Sequence, residues 1–346
     1  MTRDTSSKDD DARHRVDRFL DRSGLATSGA RVILLTGDAS DRRYYRIITN
    51  DGSSRVLALY ADAFEFDRLP FVNVAALFQA ASLPVPGILG HDDELGVLLL
   101  QDLGDLTLQA HLGAAAPTEH AARYREAVSF LVRLQARGRE LASPSYIPYG
   151  LAFDRDKLRW ELDYFVTHFV EAYRGGRIPD RARDAIGREW GPLVDELASE
   201  PRVLCHRDYH SRNLMLHEGR LYIIDFQDAR MGPNTYDLVS LLRDSYVDLA
   251  EETVEELIGH FLSPEPGTPA PATAARQEFR RRFDVMALQR NLKALGTFGF
   301  QAAVRNNPSY IQYIPRTLRH VRANLLRHER FARLHELLSV HIEELR

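Results

Sequence analysis

The sequence predicts an α+β chain of two lobes, a small antiparallel β-sheet lobe followed by a mostly helical one. Three observations carry this. Apolar runs at 31–35, 44–48 and 56–60 are separated by polar turns, and Asn50-Asp51-Gly52 is a strong hairpin signal between the second and third. Beyond residue 104 the apolar residues recur instead with helical spacing, as in Ala121, Tyr124, Val128, Leu131 and Leu134. Within that helical region a single hairpin pattern stands out, from Val203 to Asp225, whose open end gathers His206, Asp208, Asn213 and Asp225.

Composition narrows the function classes. A chain of 346 residues with 44% hydrophobic content has ample core for two lobes. Its net charge of -4, with no basic block, gives no reason to expect nucleic acid as a partner. No signal-peptide pattern opens the chain and no apolar run is long enough to cross a bilayer, so no membrane partner is expected. The one cysteine, Cys205, has no internal disulfide partner, which fits a reducing, cytoplasmic location.

In order along the chain, residues 1–10 read as a disordered polar tail and 10–22 as a short amphipathic helix with Val16, Phe19 and Leu20 on one stripe. Together 1–30 precede the small lobe, 31–100. Its first loop, Thr36 to Arg43, carries Ser40, Arg42 and Arg43, small and basic residues suited to laying backbone N–H groups and guanidinium groups over a polyphosphate. Residues 67–82 read as a helix, and Pro84 and Pro86 keep the next segment extended. The buried strand Val97 to Leu100 leads into a hinge at 101–104, where the backbone of Gln101, Asp102 and Leu103 is placed to meet an adenine edge. The helical lobe, 105–346, includes helices near 118–137, 156–173, 274–304 and 315–342, a loop at 226–233, and a Pro-rich surface linker at 263–273.

The chemistry concentrates in HRDYHSRN and the Asp that follows the hairpin. Phosphoryl transfer asks for positioning and charge neutralisation rather than covalent chemistry. A carboxylate at Asp208 suits the orientation of an acceptor hydroxyl. The Asn213 amide oxygen and the Asp225 carboxylate are hard donors suited to Mg²⁺ on nucleotide phosphates. His-x-Asp-x-x-x-x-Asn, a hairpin and then Asp is the order of a kinase catalytic loop and its metal-binding aspartate. Asp237, in the first turn of the next helix, either serves the helix dipole or braces the loop through its N–H groups.

Five stretches carry a family resemblance: GDASDRRYYRI (37–47), LLLQDLGD (98–105), HRDYHSRNLML (206–216), IIDFQDARMGPNTYDLVSLLRD (223–244) and QRNLKALGTF (289–298). They resemble the aminoglycoside phosphotransferase and choline kinase family, with its bilobed protein-kinase-like fold. Within it the chain looks most like bacterial kinases that phosphorylate N-acetylmuramic acid and N-acetylglucosamine at the anomeric hydroxyl in peptidoglycan recycling. The resemblance implies ATP and Mg²⁺ as cofactors and an amino sugar as small-molecule partner, with Asp208 as catalytic base, Asn213 and Asp225 as metal ligands, Gln101 to Leu103 at the adenine, and His206 as a structural brace. Arg212 or Arg207 would offset charge on the transferring phosphoryl group. Gln227, Asp228, Arg230, Arg243, Arg290 and Lys293 are the candidates at the sugar, the cations among them for the lactyl carboxylate of N-acetylmuramic acid. The chain is expected to act as a monomer.

One departure bears on the nucleotide. Such folds place a lysine on the third strand, yet residues 9–156 contain none, so either Arg42, Arg43, Arg46 or Arg55 supplies that charge or the site manages without it. A kinase for an aminoglycoside, choline or similar acceptor, and a nucleotide-binding pseudokinase, are the competing readings. No Asp-Phe-Gly to Ala-Pro-Glu segment suggests a protein kinase.

Overall fold

The computed structural model describes residues 3–26, 29–35, 42–113, 117–263 and 272–346. Its small lobe is a five-stranded antiparallel sheet in the order β1-β2-β3-β5-β4, from β1 (Arg31–Leu35), β2 (Arg43–Ile48), β3 (Ser54–Leu59), β4 (Ile88–Asp92) and β5 (Val97–Gln101). The Asn50-Asp51-Gly52 turn joins β2 to β3, with Gly52 at φ +81°. Sequence reading missed β4, whose residues Ile88-Leu89-Gly90-His91-Asp92 carry no run of apolar residues and whose register with β5 shifts at a bulge between Ile88 and Gly90.

Strand alternation gives this sheet two apolar faces. Tyr45, Ile47, Leu57, Leu59, Val97 and Leu99 form one, covered by α1 (Arg3–Arg22) through Ala12, Val16, Phe19 and Leu20. Each of the three largest of these helix residues contributes roughly 1.5–3 kcal/mol by leaving water. Residues 3–10 are not disordered as expected: helix runs from Arg3, because nothing in 3–22 is Gly or Pro. Ala58, Leu98 and Leu100 form the other face, packed with α2 (Pro70–Ala80) into the main core. The helix expected from residue 67 is split by an extended Leu69, the conformation that Pro70 imposes on its predecessor.

The large lobe comprises α3 (Leu108–Leu112), α4 (Pro117–Glu140), α5 (Arg155–Phe165), α6 (Asp180–Ser199), α7 (Tyr236–Leu242), α8 (Glu251–Leu262), α9 (Thr273–Ala303), α10 (Ile314–Arg327) and α11 (Ala332–Ser339). A π-helical extension, Val166–Tyr173, continues α5. Against these helices lie two small antiparallel pairs, β6 (Arg202–Cys205) with β9 (Arg230–Pro233), and β7 (Leu214–His217) with β8 (Arg220–Ile223). The 226–233 segment is therefore a loop only in its first half. Val203 to Cys205 is not part of the hairpin but pairs with the chain beyond it, a long-range register invisible to local pattern.

The long α9 lies tight against α5 and its extension. A Cβ on Gly299 would overlap the backbone of His168 and Phe169, and one on Gly296 would come within 3.1 Å of Phe165 and Tyr164. This approach sets α5 and α9 as adjoining walls of the inter-lobe cleft. The Pro-rich segment lies, for residues 264–271, outside the described residues. Among the described residues no helix is long and apolar enough to cross a membrane.

Candidate active site

The loop between β6 and β7 is held from both ends of α7. At its start Asp237, 1% exposed, accepts the backbone N–H of His206 at 2.6 Å and of Arg207 at 3.0 Å. Just past its end Asp244 accepts the Ser211 hydroxyl at 2.6 Å, the Ser211 N–H at 3.0 Å and the Tyr246 N–H at 2.9 Å. Asp237 is thus the loop's brace, and its place in the first helical turn is secondary. His206 is fully buried, with Nε2 2.9 Å from the Ile224 carbonyl oxygen, and Tyr209 donates its hydroxyl to the Ala127 carbonyl at 2.9 Å. These bonds hold Arg207 at φ +90° and Asp225 at φ +63°, conformations that cost about 1–3 kcal/mol each for a residue with a Cβ.

The loop so held presents Asp208 to a cavity of about 830 Å³ between the lobes. Lys293 Nζ donates to Asp208 Oδ1 at 3.0 Å, Arg290 Nη1 stands 3.6 Å from the same oxygen, and Arg207 Nε stands 3.7 Å from Oδ2. Burial alone would raise the Asp208 pKa, but the Lys293, Arg290 and Arg207 charges overcome it and hold the carboxyl well below the usual range. Burial acts in the opposite sense on Lys293 and lowers its pKa, while Asp208 resists that shift. His210 is pushed down to about 3, chiefly by burial, so it is a neutral imidazole at pH 7. Asp208 is thus an anion ringed by cations, with 26% of its side chain still exposed.

Asn213 and Asp225 meet beside it. The Asn213 amide donates to the Asp208 carbonyl at 2.9 Å and lies 3.4 Å from Asp225 Oδ2, while Gln227 Nε2 donates to Asp225 Oδ1 at 2.9 Å. Ile224 N–H bonds the Asn213 carbonyl at 3.0 Å, so the two side chains are tied through the backbone as well. An amide oxygen and a carboxylate fit Mg²⁺, and Gln227 Oε1 is a further buried oxygen without a hydrogen-bond partner among the described residues. Among the described residues no cluster of three His, Cys, Asp or Glu could hold a metal unaided, so such an ion would share nucleotide phosphates and water.

Across the cavity, Arg42, Tyr44 and Arg46 point inward on alternate positions at the start of β2 and along it, whereas Arg43 falls on the other side of the strand and does not line the cavity. Arg46 is engaged elsewhere, pairing Asp102 at 2.6 Å and Asp105 at 2.8 Å. Arg42 lies over the rings of Tyr60 and Tyr44, at 5.6 and 5.9 Å, and is drawn electrostatically to Asp225. Ser40 lies outside the described residues. Gln101, Asp102 and Leu103 all line the cavity, but the Gln101 N–H is bonded to the Gly87 carbonyl at 2.8 Å and is not available to a base.

A family model of the phosphotransferase enzyme family matches residues 31–279, a span that holds Asp208, Asn213 and Asp225. The chain belongs to this family. An N-acetylmuramate/N-acetylglucosamine kinase of Neisseria meningitidis serogroup B is 36% identical over 302 residues, 87% of each chain. A Pseudomonas aeruginosa protein of the same name is 32% identical over 310 residues, 90% of this chain and 88% of its own. Among solved structures, a choline/ethanolamine kinase family protein from Mesorhizobium loti superposes with a TM-score of 0.58 at 17% identity, covering 92% of this chain and 95% of its own. An ADP-bound aminoglycoside phosphotransferase does so with 0.55 at 14% identity, over 84% and 92%. These structures establish the fold as α+β and protein-kinase-like, and the protein is a phosphotransferase.

In this phosphotransferase the matched span ends before α9 has passed the cleft, yet Arg290, Lys293, Phe298 and Tyr310 all line the cavity. The C-terminal helices therefore complete the site. Arg212 is placed there too, over Tyr246 at 5.0 Å and Tyr310 at 5.9 Å. Arg243 lines the cavity while paired with Glu251 at 2.6 Å, and Gln227 lines it beside Asp225. Asp228 does not: it is 54% exposed, pairs with Arg207 at 2.7 Å, and lies outside the cavity wall. Arg230 is likewise absent from the wall, lying over the Phe153 ring. Sequence reading missed Trp160, Glu161 and Tyr164, which line the cavity from α5. Their helical spacing shows only that 157, 160, 161 and 164 share a face, and which neighbour that face meets is a tertiary fact.

Asp244 gives this scaffold a pH signature. Burial, the largest influence, raises its pKa to about 6 against the opposing Ser211 and Tyr246 hydrogen bonds. A carboxyl whose folded pKa is raised contributes stability below its unfolded pKa and loses it as pH rises through the folded value. Asp244→Asn keeps an oxygen for the two Ser211 bonds, gives up the Tyr246 N–H bond at every pH, and removes the titration. Between pH 4 and 7 the wild type should lose on the order of 2–3 kcal/mol relative to this variant in urea unfolding. Parallel curves for the two proteins would refute the assignment.

Proposed function

We propose that this phosphotransferase transfers the γ-phosphoryl group of ATP, with Mg²⁺, to the anomeric hydroxyl of N-acetylmuramic acid or N-acetylglucosamine, giving the sugar 1-phosphate. Asp208 orients that hydroxyl and takes its proton. An anomeric hydroxyl is more acidic than an ordinary alcohol, so a carboxylate of low pKa suffices. Asn213 and Asp225 would hold the magnesium, which supplies neutralisation of phosphate charge. Arg42 takes the part of the absent strand lysine, because it lines the cavity and is drawn electrostatically toward Asp225, whereas Arg46 is held by Asp102 and Asp105. Arg212 offsets charge on the transferring group. Residues 101–104 act as the hinge, with Asp102 and Leu103 offering backbone to the adenine and Ser40 to the phosphates. The enzyme would work as a monomer in the cytoplasm, in peptidoglycan recycling.

The observation that carries this reading is the cationic surround of Asp208. Arg207, Arg290 and Lys293 all stand within 3.7 Å of its carboxylate, an unwelcoming site for a cationic acceptor and a suitable one for a neutral or carboxylate-bearing sugar. Lys293 and Arg290, with Gln227 and Arg243, remain the residues for the sugar and its lactyl carboxylate, whereas Asp228 and Arg230 lie off the wall. Purified protein with Mg-ATP should release ADP when given either amino sugar and not when given choline or kanamycin. ADP release with choline or kanamycin alone would refute the assignment.

A further inference from the structure

Helix α5 turns one face to the cavity, and the residues on it have no role in the reading above. Asp154 caps the helix by accepting the Lys157 N–H at 2.8 Å, and from there Lys157, Trp160, Glu161 and Tyr164 recur at the three-and-four spacing of one helical face. Trp160 is 53% exposed at the cavity wall, an unusual position for the largest side chain in a folded protein. The other tryptophan, Trp190, is fully buried in the core. The Trp160 ring lies 5.0 Å from that of Tyr164 at 36°, and Tyr164 is fixed in turn by His168 at 4.1 Å and Phe300 at 5.9 Å. The indole therefore stands at the end of a row of tilted rings.

Glu161 supplies a second, independent observation. It is 1% exposed and lines the same cavity. One of its carboxylate oxygens accepts from Gln289 Nε2 at 2.8 Å, while the other, Oε1, has no hydrogen-bond partner among the described residues. A buried carboxylate oxygen without a donor costs about 1–3 kcal/mol or more, which a hydroxyl-bearing ligand would recover. Asn291 Oδ1 and Gln227 Oε1, also in the wall, are further buried acceptors without a donor among those residues.

We infer that Trp160, Tyr164 and Glu161 form the subsite that receives the pyranose ring of the acceptor, Trp160 and Tyr164 against its apolar face and Glu161 Oε1 on a ring hydroxyl. This rests on the sugar-kinase reading and names where that sugar lies. The C–H bonds on one face of a pyranose are weakly positive and meet the negative face of an aromatic ring favourably, while its hydroxyl edge needs acceptors at the side. Aromatic pairs elsewhere also take quaternary ammonium groups. Here Lys157 Nζ already sits 3.9 Å from the centre of the Trp160 ring, and Arg207, Arg290 and Lys293 surround Asp208 nearby, which disfavours a second cation.

Two readouts test this. With Mg-ADP present to prevent turnover, N-acetylglucosamine should change the intrinsic fluorescence saturably, the change tracking the sugar KM and vanishing in Trp160→Phe. In steady state Trp160→Ala should raise the sugar KM about tenfold, with the KM for ATP moving less than twofold. Glu161→Gln should shift the same parameter in the same direction, which separates a binding role from a merely structural one. A sugar KM within twofold of wild type in Trp160→Ala, or silent fluorescence at saturating sugar, overturns the subsite while leaving the sugar-kinase reading intact. Fluorescence that responds to choline and not to sugar overturns it in favour of a cationic acceptor. Wild-type protein that phosphorylates neither sugar refutes the reading on which it rests, and the subsite with it.

Discussion

Asp208→Asn should lower kcat about 10³-fold with both amino sugars, in the range usual for loss of a positioned general base. The substitution keeps the shape of the side chain and removes the carboxylate proposed to accept the hydroxyl proton. It also removes the anion that Lys293, Arg290 and Arg207 share, so the ammonium 3.0 Å away loses its partner. The loop itself should survive, because its brace runs through Asp237, His206 and Asp244 rather than through the Asp208 carboxylate. Circular dichroism and the urea midpoint check that point, and nucleotide affinity measured by calorimetry should stay within a few-fold of wild type. A variant that keeps a tenth or more of the activity would show that Asp208 is not the group that handles the proton.

The second large effect is expected at Asp225. Replacing it by alanine removes the carboxylate beside Asn213 and should reduce kcat/KM for ATP by about 10²- to 10³-fold, the scale seen when a single preorganised electrostatic contact at the transferring group is removed. The diagnostic is metal linkage. Wild-type protein should bind ATP more tightly with magnesium than in EDTA, and Asp225→Ala should abolish that difference while leaving the EDTA affinity near its original value. Gln227, which donates to Asp225 at 2.9 Å, would be left without that acceptor, so a modest loss of stability is also expected. An unchanged magnesium dependence would move the metal away from this residue.

Much of this site is legible in the chain because its members are local. Asp208, Asn213 and Asp225 fall within eighteen residues, and the hairpin that spaces them is written in the apolar runs Leu214 to Leu216 and Leu221 to Ile224 on either side of Glu218-Gly219. The sheet of the small lobe is similarly legible from three short runs and one Asn-Asp-Gly turn. What escapes the sequence depends on distant partners. Asp228 sits one residue from Gln227 yet turns outward to Arg207, and no spacing rule distinguishes the two. Arg46 is as suited to phosphate as Arg42 by type and position, and only the tertiary structure shows that Arg46 is held by Asp102 and Asp105, 56 and 59 residues on, whereas Arg42 is drawn toward Asp225. Glu161 meets Gln289 across 128 residues, a contact created by the close packing of α9 on α5. At the start of the chain composition points to disorder, whereas an apolar stripe docked on the sheet is enough to order the helix.

The most direct test of the account is the position of the transferred phosphate. Phosphorus NMR of a reaction with Mg-ATP and N-acetylglucosamine should show a product phosphate coupled to the anomeric proton, with the same outcome for N-acetylmuramic acid and no product from Asp208→Asn. Phosphate on any other hydroxyl, or ATP binding with no sugar phosphate formed, would contradict it.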